Sequence, residues 1–442
     1  MSDLHATEPE TLPLRPAFSE DNLDRPPVPN GGHSFRRGLP QRMLFLSRWF
    51  PFPADNGSKQ RILHLLQSLA SSYSVTLLAF VAHPPVKGDL EEAERLCARV
   101  HTVPLKSFDP RGSAHYIDFL RSKPRSVSAT TSPEMSDWVR RLHAELGFDV
   151  VIASQVDMAP YALELHSVPR VLDELELAAF EEQVGMAASI PAQMRKRLMW
   201  NKRAAYVRTM LKSFDAITVV SQPELRLATS IGVDPERISV VPNGVEAWPA
   251  PTQGEAPAPG SMIYAGSVTY PPNLDAVKYF AEEILPTIRE KRPDATLLVT
   301  GSTGDIDLSA LRNGGGIAFS GLVPEVRELI ARSWLSVAPI RSGGGTRVKI
   351  LEALSLGVPV VSTTKGCEGL DLVSGIHLLI GDDPASFSEA VLSLLEDGHL
   401  RSRIGENGRR QVSRRYDWHD IGKKFATVIE AAVAHRKGER AL

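Results

Sequence analysis

With 442 residues, the chain exceeds what one ordinary hydrophobic core organises, and two domains are expected. Its 43% hydrophobic and 23% charged residues are those of a soluble globular protein, and a formal net charge of −2 gives no global attraction to nucleic acid. Cys97 and Cys367 fit no metal or disulfide spacing, no apolar run is long enough to span a bilayer, and the start MSDLHATEPETLPLRP lacks a secretory pattern, so a cytoplasmic location is expected.

Residues 1–40 are rich in Pro, Glu, Asp, Ser and Gly without periodicity and read as a disordered tail. Order begins at Met43–Leu46, an apolar run suited to a buried parallel strand. A helix after Gly57 follows, with Ile62, Leu65, Leu66 and Leu69 on its apolar face. Further strands are expected at Val75–Phe80, Val100–Pro104, Asp149–Ala153, Arg170–Leu172, Ala216–Val220 and Ile238–Val241. Helices are expected near Asp89–Ala98, Tyr116–Leu120, Met135–Leu146, Ala192–Ser213 and Pro223–Ile231. This alternation implies a mostly parallel, doubly wound sheet over residues 41–247. Five prolines and little periodicity mark 248–260 as a linker. The alternation restarts over 261–415, with strands at Met262–Ala265, Thr296–Val299, Ile317–Phe319, Trp334–Val337, Val360–Val361 and His377–Ile380, and a helix over Asn273–Ile284. The final segment, 416–442, reads as a helix able to return to the first domain. Two such units place a ligand in the cleft between them, at the carboxyl ends of strands.

The densest chemistry lies in Ser342–Leu370, SGGGTRVKILEALSLGVPVVSTTKGCEGL. Gly343, Gly344 and Gly345 lead to Thr346, a good N-cap, and a helix with Val348, Leu351 and Leu354 on one face. Gly357 and Pro359 end it. Glycines before a helix let an anion approach backbone N–H groups at the positive end of the helix dipole. Arg347 and Lys349 add positive charge there, and Glu352, one turn further in, can accept two hydrogen bonds from a vicinal diol. A phosphate site beside a diol acceptor is what a nucleotide diphosphate requires. The same text also fits a strand–loop–helix connection whose glycines only turn the chain.

Asp55-Asn56-Gly57-Ser58-Lys59-Gln60-Arg61 repeats the theme in the first domain, where Gly57 permits close approach and Lys59 and Arg61 can neutralise charge. A capped helix with solvated basic residues is the alternative. Gly266 and Ser267 follow a strand, where a ligand loop belongs, with Asn273 as an N-cap. Asp173-Glu174-Leu175-Glu176 lies just past another strand end and is either chemical or an acidic helix start. Asp305 and Asp307 match a metal-binding pair only weakly, and no metal is expected. The basic stretch 195–212, interleaved with Leu198, Met199 and Trp200, fits a solvated helix face or a peripheral membrane contact. No G-x-S-x-G or H-E-x-x-H occurs, so covalent hydrolase chemistry has no support.

YAGSVTYPPNLDAVKYFAEEILPTIREKRPDATLLVTG and FSGLVPEVRELIARSWLSVAPIRSGGGTRVKILEALSLGVPVVSTTKGCEGL, with RWFPFPADNGSKQRILHLLQSLASSYSVTLLAF and VVPNGVE upstream, resemble retaining glycosyltransferases of family 4, the group 1 glycosyltransferases of GT-B fold. The resemblance covers roughly Met43 to Tyr416. It implies two Rossmann-like domains facing a central cleft, with the donor nucleotide-sugar held mainly by the second. It further implies that Glu352 binds the ribose hydroxyls, that Gly57 approaches the donor phosphates and that the loop carrying Val323 lies near the base. Gly266, Ser267, Gly344, Gly345 and Thr346 complete the expected donor site with Lys59. Arg347 and Lys349 are the expected catalytic cations, and Asp173 is the first-domain candidate.

The sequence departs from the family twice. The usual Arg and Lys of the Gly266 loop are not evident, and Gly344 stands where a glutamate contacting the donor sugar is common. The expected function is sugar transfer, with retention of anomeric configuration, from a nucleotide-diphosphate sugar to a saccharide or lipid-linked saccharide. No cofactor beyond that co-substrate is expected. A nucleotide-sugar epimerase and a non-catalytic binding subunit of a polysaccharide-assembly complex are the rival readings.

Overall fold

A computed structural model describes residues 40–105, 130–185, 189–246, 257–313 and 315–441. The tail expected over 1–40, apart from Pro40, lies outside the described residues, as do the helix expected near Tyr116–Leu120 and residues 247–256 of the expected linker.

The apolar runs form two parallel sheets. The first holds β1 (Gln41–Ser47), β2 (Tyr73–Val81), β3 (Arg99–Pro104), β4 (Val150–Ser154), β5 (Arg170–Asp173), β6 (Ala216–Val219) and β7 (Ile238–Val240), in the order β3-β2-β1-β4-β5-β6-β7. The second holds β8 (Ser261–Ala265), β9 (Thr296–Thr300), β10 (Ile317–Gly321), β11 (Leu335–Ala338), β12 (Val360–Ser362) and β13 (Leu379–Ile380), in the order β10-β9-β8-β11-β12-β13. Every strand pairing is parallel. The strand order reverses between β1 and β4 and between β8 and β11, which opens a crevice at the carboxyl end of each sheet.

Helices cover both faces, so the central strands β1, β4, β5, β6, β11 and β12 are buried on both sides and lack polar alternation, whereas the edge strands β3 and β10 are partly exposed. Successive side chains of β1 point to opposite faces: Leu44 and Leu46 enter one core cluster, Met43 and Phe45 another. The second cluster is closed by Trp418, Ile421, Phe425 and Ile429 of the C-terminal helix, Trp418–Ala441. That helix lies against the helix Gly57–Leu69, with His64 stacked on Trp418 at 4.8 Å between ring centroids. A Cβ on Gly244 would stand 2.7 Å from Ile421 Cδ1 and 2.8 Å from Trp418 Cδ2, so the PNG turn must carry glycine to admit the returning helix.

Three local expectations change. The helix expected from Asn273 starts at Pro271, with Tyr270 at the N-cap, and gives way to a π-helical turn at Phe280–Ile284. Proline suits the first turn because its missing N–H has no helical partner there. The helix after the triple glycine starts at Val348, with Arg347 rather than Thr346 at the N-cap and no side-chain cap bond. The strand expected at His377–Ile380 contracts to Leu379–Ile380, because His377 and Leu378 belong to a turn in which Gly375 N donates to Leu378 O.

Arg61 was expected to neutralise a ligand and instead is fully buried. Its Nε and Nη2 grip both oxygens of Asp173 at 2.9 and 2.6 Å, and its Nη1 donates to Val241 O, Pro242 O and Asn243 Oδ1 at 3.0, 3.1 and 2.9 Å. Thr218 Oγ1 donates to Asp173 Oδ1 at 2.6 Å. Burial alone would lower the Arg61 pKa, but the charge and hydrogen bonds of Asp173 outweigh it and the net direction is up. Breaking such a pair strands a buried charge at a cost of about 3–5 kcal/mol. Arg61→Met should therefore lower the urea unfolding free energy by about that amount, and Arg61→Met with Asp173→Leu by clearly less. Additive losses in the double variant would show that the pair is not energetically coupled.

Candidate active site

Five loops at the carboxyl ends of strands converge at the switch points. Gly57 follows β1, Gln155 follows β4, Glu174 follows β5, Gly266 follows β8 and Gly343 follows β11. Gly57 opens the helix Gly57–Leu69 and Val348 opens the helix Val348–Ser355. A Cβ on Gly57 would lie 3.8 Å from Val348 Cγ2, so the two helix N-termini confront each other across the cleft. Both dipoles present their positive ends to the same space, which favours an anion there.

The glycine loop is shaped by backbone that other residues rarely adopt, with Gly343 at φ 97° and Gly345 at φ 83°. Arg347, only 9% exposed, folds back on it. Its guanidinium donates to Gly344 O at 2.7 Å and to Gly343 O, with a longer contact to Ser342 O at 3.4 Å. Arg347 was expected to project toward a diphosphate; in this structure its Nη1 and Nη2 instead brace three loop carbonyls.

Lys349 is the cation left at this helix start. Its ammonium is enclosed, 2.8 Å from Tyr264 Oη and 3.0 Å from Asn273 Oδ1, and it sits 3.9 Å over the Tyr264 ring. Among the described residues no carboxylate forms an ion pair with it, though the Glu352 charge acts on it from one turn away. Burial, then the Arg347 charge, pushes its pKa down to about 7. A Cβ at Gly266 would stand 2.6 Å from Lys349 Nζ, so glycine is what makes room for the ammonium. Asn273 also donates to Ser267 O at 2.7 Å and holds that loop. Glu352 lies one turn beyond Lys349, and burial raises its pKa against the opposing charges of Arg327 and Lys349.

The remaining expected residues take mixed places. Ser267 Oγ donates to Ser302 O at 2.9 Å and pairs with the Thr269 hydroxyl at 2.6 Å. Val323 is half-buried after Gly321, whose φ is 70°, beside Leu322, which is 80% exposed. Gly344, Gly345 and Thr346 line a narrow cavity with Ser221 and Glu224 of the first domain. Lys59 pairs with Asp55 at 3.0 Å, and its backbone N–H is capped by Asn56. Asp173 was the first-domain catalytic candidate and is corrected: enclosed by Arg61 and Thr218, with no exposed surface, it cannot touch a substrate. Asp307 caps Ser309 N at 2.9 Å in a separate loop.

First-domain carboxylates that the sequence left in the background form the opposite wall. Glu182 Oε2 accepts from Gly343 N at 3.0 Å, and its other oxygen lies 3.5 Å from Lys365 Nζ. Glu176 Oε1 lies 3.3 Å from where a Cβ on Gly345 would be. Behind it, Gln155 Nε2 donates to Glu174 Oε2 at 3.0 Å, with Ser58 Oγ 3.3 Å from the same nitrogen. Gln155 (φ 72°) and Glu174 (φ 58°) both hold left-handed backbone that costs non-glycine residues energy, and such strain clusters at functional sites. Burial, then the Glu176 charge, pushes Glu174 up to about 8.

The depressed Lys349 pKa fixes a stability signature. Its unfolded value is near 10.5 and its folded value about 7, so between them the unfolded chain binds more protons and stability rises with pH. Urea unfolding of the wild type and of Lys349→Met should diverge from pH 7 to pH 9, the wild type gaining relative to the variant. Parallel curves over that range would contradict an enclosed, unpaired ammonium.

Two family models match the chain. One, described as a glycosyl transferase 4-like domain, covers residues 56–244, and the other, glycosyl transferases group 1, covers 259–397. A Corynebacterium glutamicum GDP-mannose-dependent monoacylated alpha-(1-6)-phosphatidylinositol monomannoside mannosyltransferase is 23% identical over 378 residues, 76% of this chain and 98% of its own length. HepE from Anabaena, solved with UDP and glucose, superposes with a TM-score of 0.64 at 14% identity, over 88% of this chain and all of that one. Sucrose-phosphate synthase from Thermosynechococcus elongatus gives 0.63 at 16% identity, over 89% and 100% of the two chains. At these identities the solved structures speak for the fold. The two family models take in both sheets and both halves of the cleft, and the chain is a glycosyltransferase of the GT-B type, with a 4-like first domain and a group 1 second domain.

Proposed function

We propose that the protein transfers a sugar from a nucleotide-diphosphate donor to a saccharide or lipid-linked saccharide, with retention of anomeric configuration and without a metal. The observation that carries this reading is the confrontation of the two helix N-termini, with the enclosed Lys349 beside them and Glu352 one turn further in. Cleavage at the anomeric carbon leaves positive charge on the sugar and negative charge on the departing diphosphate. Preorganised N–H groups and one ammonium in a site shielded from water stabilise that anion without reorganising. In this reading Glu352, one turn beyond Lys349, accepts both ribose hydroxyls. The solved relative that holds UDP and glucose, and the GDP-mannose dependence in the name of the Corynebacterium enzyme, support a nucleotide sugar as donor.

The acceptor side belongs to the first domain. The helix Ile190–Leu211 exposes Ile190, Met194 and Leu198 at spacings of four, 74%, 69% and 47% exposed, beside Arg195, Lys196 and Arg197. Such a stripe fits the surface of an anionic membrane and supports a lipid-linked acceptor.

Charge-assisted hydrogen bonds contribute about 1.5–3 kcal/mol, roughly ten- to a hundredfold in affinity. Glu352→Gln should raise the KM for the nucleotide sugar within that range, and Lys349→Met should lower kcat, in variants that circular dichroism shows to be folded under the assay conditions. Activity should persist in EDTA, and product NMR should show the anomeric configuration of the donor. Unchanged kinetics in both variants would remove the site assignment, and an inverted product would remove the retaining mechanism.

The Lys349 pKa is pushed down to about 7, and a bound diphosphate favours its charged form. Nucleoside diphosphate binding should therefore take up a fraction of a proton that grows from about pH 7 to about pH 8.5, read by calorimetry in buffers of different ionisation enthalpy. Lys349→Met should abolish the uptake, and buffer-independent heats in the wild type would contradict it.

A further inference from the structure

The carboxylates on the first-domain wall differ in one respect. Asp173 is consumed by Arg61 and Thr218, Glu174 is held by Gln155, Glu182 by Gly343 N and Lys365, and Glu224 by Leu177 N and Ala178 N at 2.9 and 3.1 Å. Glu176 accepts no hydrogen bond from any described residue, although it lies in the same wall, 3.3 Å from the Cβ position of Gly345. It stands on the loop after β5, with the strained Glu174 two residues before it. Burial raises its pKa, and Arg61, Arg203 and Arg347 oppose that shift.

We propose that Glu176 is the residue that accepts hydrogen bonds from the hydroxyls of the donor sugar and so selects which sugar is transferred. This rests on the nucleotide-sugar reading of the cleft. A carboxylate held against the glycine loop is repelled by phosphate oxygens, so the diphosphate is not its partner. The donor part that follows the diphosphate toward the first domain is the sugar, and vicinal hydroxyls are donors matched to the two oxygens of one carboxylate. A desolvated acceptor with no hydrogen-bond partner among the described residues discriminates strongly, because a sugar lacking the hydroxyl leaves it unpaired. The chain therefore reads its sugar from the first domain, across the cleft from the loop that holds the phosphates, and only a closed cleft presents both.

Calorimetry on the wild type and Glu176→Gln with UDP, GDP, UDP-glucose and GDP-mannose tests this. The wild type should bind one of the two sugar nucleotides more tightly than its parent diphosphate. Glu176→Gln, which keeps the shape and removes the charge, should bind that diphosphate with unchanged Kd and the sugar nucleotide at least tenfold more weakly, with wild-type melting. Equal sugar-nucleotide affinity in the two proteins would overturn the role of Glu176 and leave the nucleotide reading intact. Equal weakening for the bare diphosphate would overturn it too, since Glu176 would then act by shaping the glycine loop. Failure of the wild type to bind either diphosphate would sink the nucleotide reading itself.

Discussion

The first-domain half of the site depends on the buried Arg61–Asp173 pair. Arg61 lies one turn inside the helix that Gly57 opens, and Asp173 ends β5 immediately before Glu174 and Glu176. The same guanidinium satisfies Val241 O, Pro242 O and Asn243 Oδ1, at the turn where the first domain ends and the returning C-terminal helix packs. One side chain thus sets the relative positions of the helix N-terminus, the acidic wall and the exit from the domain. Desolvating two charges is costly, so the pair is not there for its net stability alone. Removing either partner would leave an uncompensated charge buried among those three segments.

The second domain reaches the same end by other means. Arg347 ties three carbonyls of the glycine loop, which leaves Lys349 as the cation nearest the helix start. Lys349 is accommodated by an absent Cβ at Gly266 and by Tyr264 and Asn273, neither of which carries a negative charge. An ammonium with neutral partners in a desolvated site is under-compensated, and an anion such as the proposed diphosphate would supply what it lacks. The two domains meet through Glu182 and Gly343 N, a carboxylate on a loop amide. That contact shows one loop amide, Gly343 N, donating to a carboxylate.

The elements were legible because parallel strands covered on both faces are written as unbroken apolar runs, as Met43–Leu46 and Met262–Ala265 are. The glycines were legible because Gly57 and Gly343–Gly345 sit between such a run and a periodic helix. The destinations of polar side chains were not. Arg61 looked like a surface cation, yet it shares a helix face with Leu65 and Leu69, and that spacing was the signal for its burial. Asn273 looked like a cap because it follows two prolines, whereas its partners, Tyr264 and Lys349, come from β8 and from a helix 76 residues further on. The stretch Asp173–Glu176 was open between chemistry and an acidic helix start, and Glu182 drew no reading, because the loop that Glu176 and Glu182 face is more than 160 residues distant in sequence. Local pattern carries the backbone, and long-range pairing decides which charged groups remain for chemistry.

The central claim is that one diphosphate is held between two helix N-termini contributed by different domains. Hydrogen–deuterium exchange with and without saturating UDP or GDP measures this directly. The account predicts slowed exchange on both sides of the cleft at once, in a peptide spanning Asn56–Arg61 and in one spanning Gly343–Ile350. Protection confined to one of these segments, or appearing elsewhere while both stay unchanged, would contradict it.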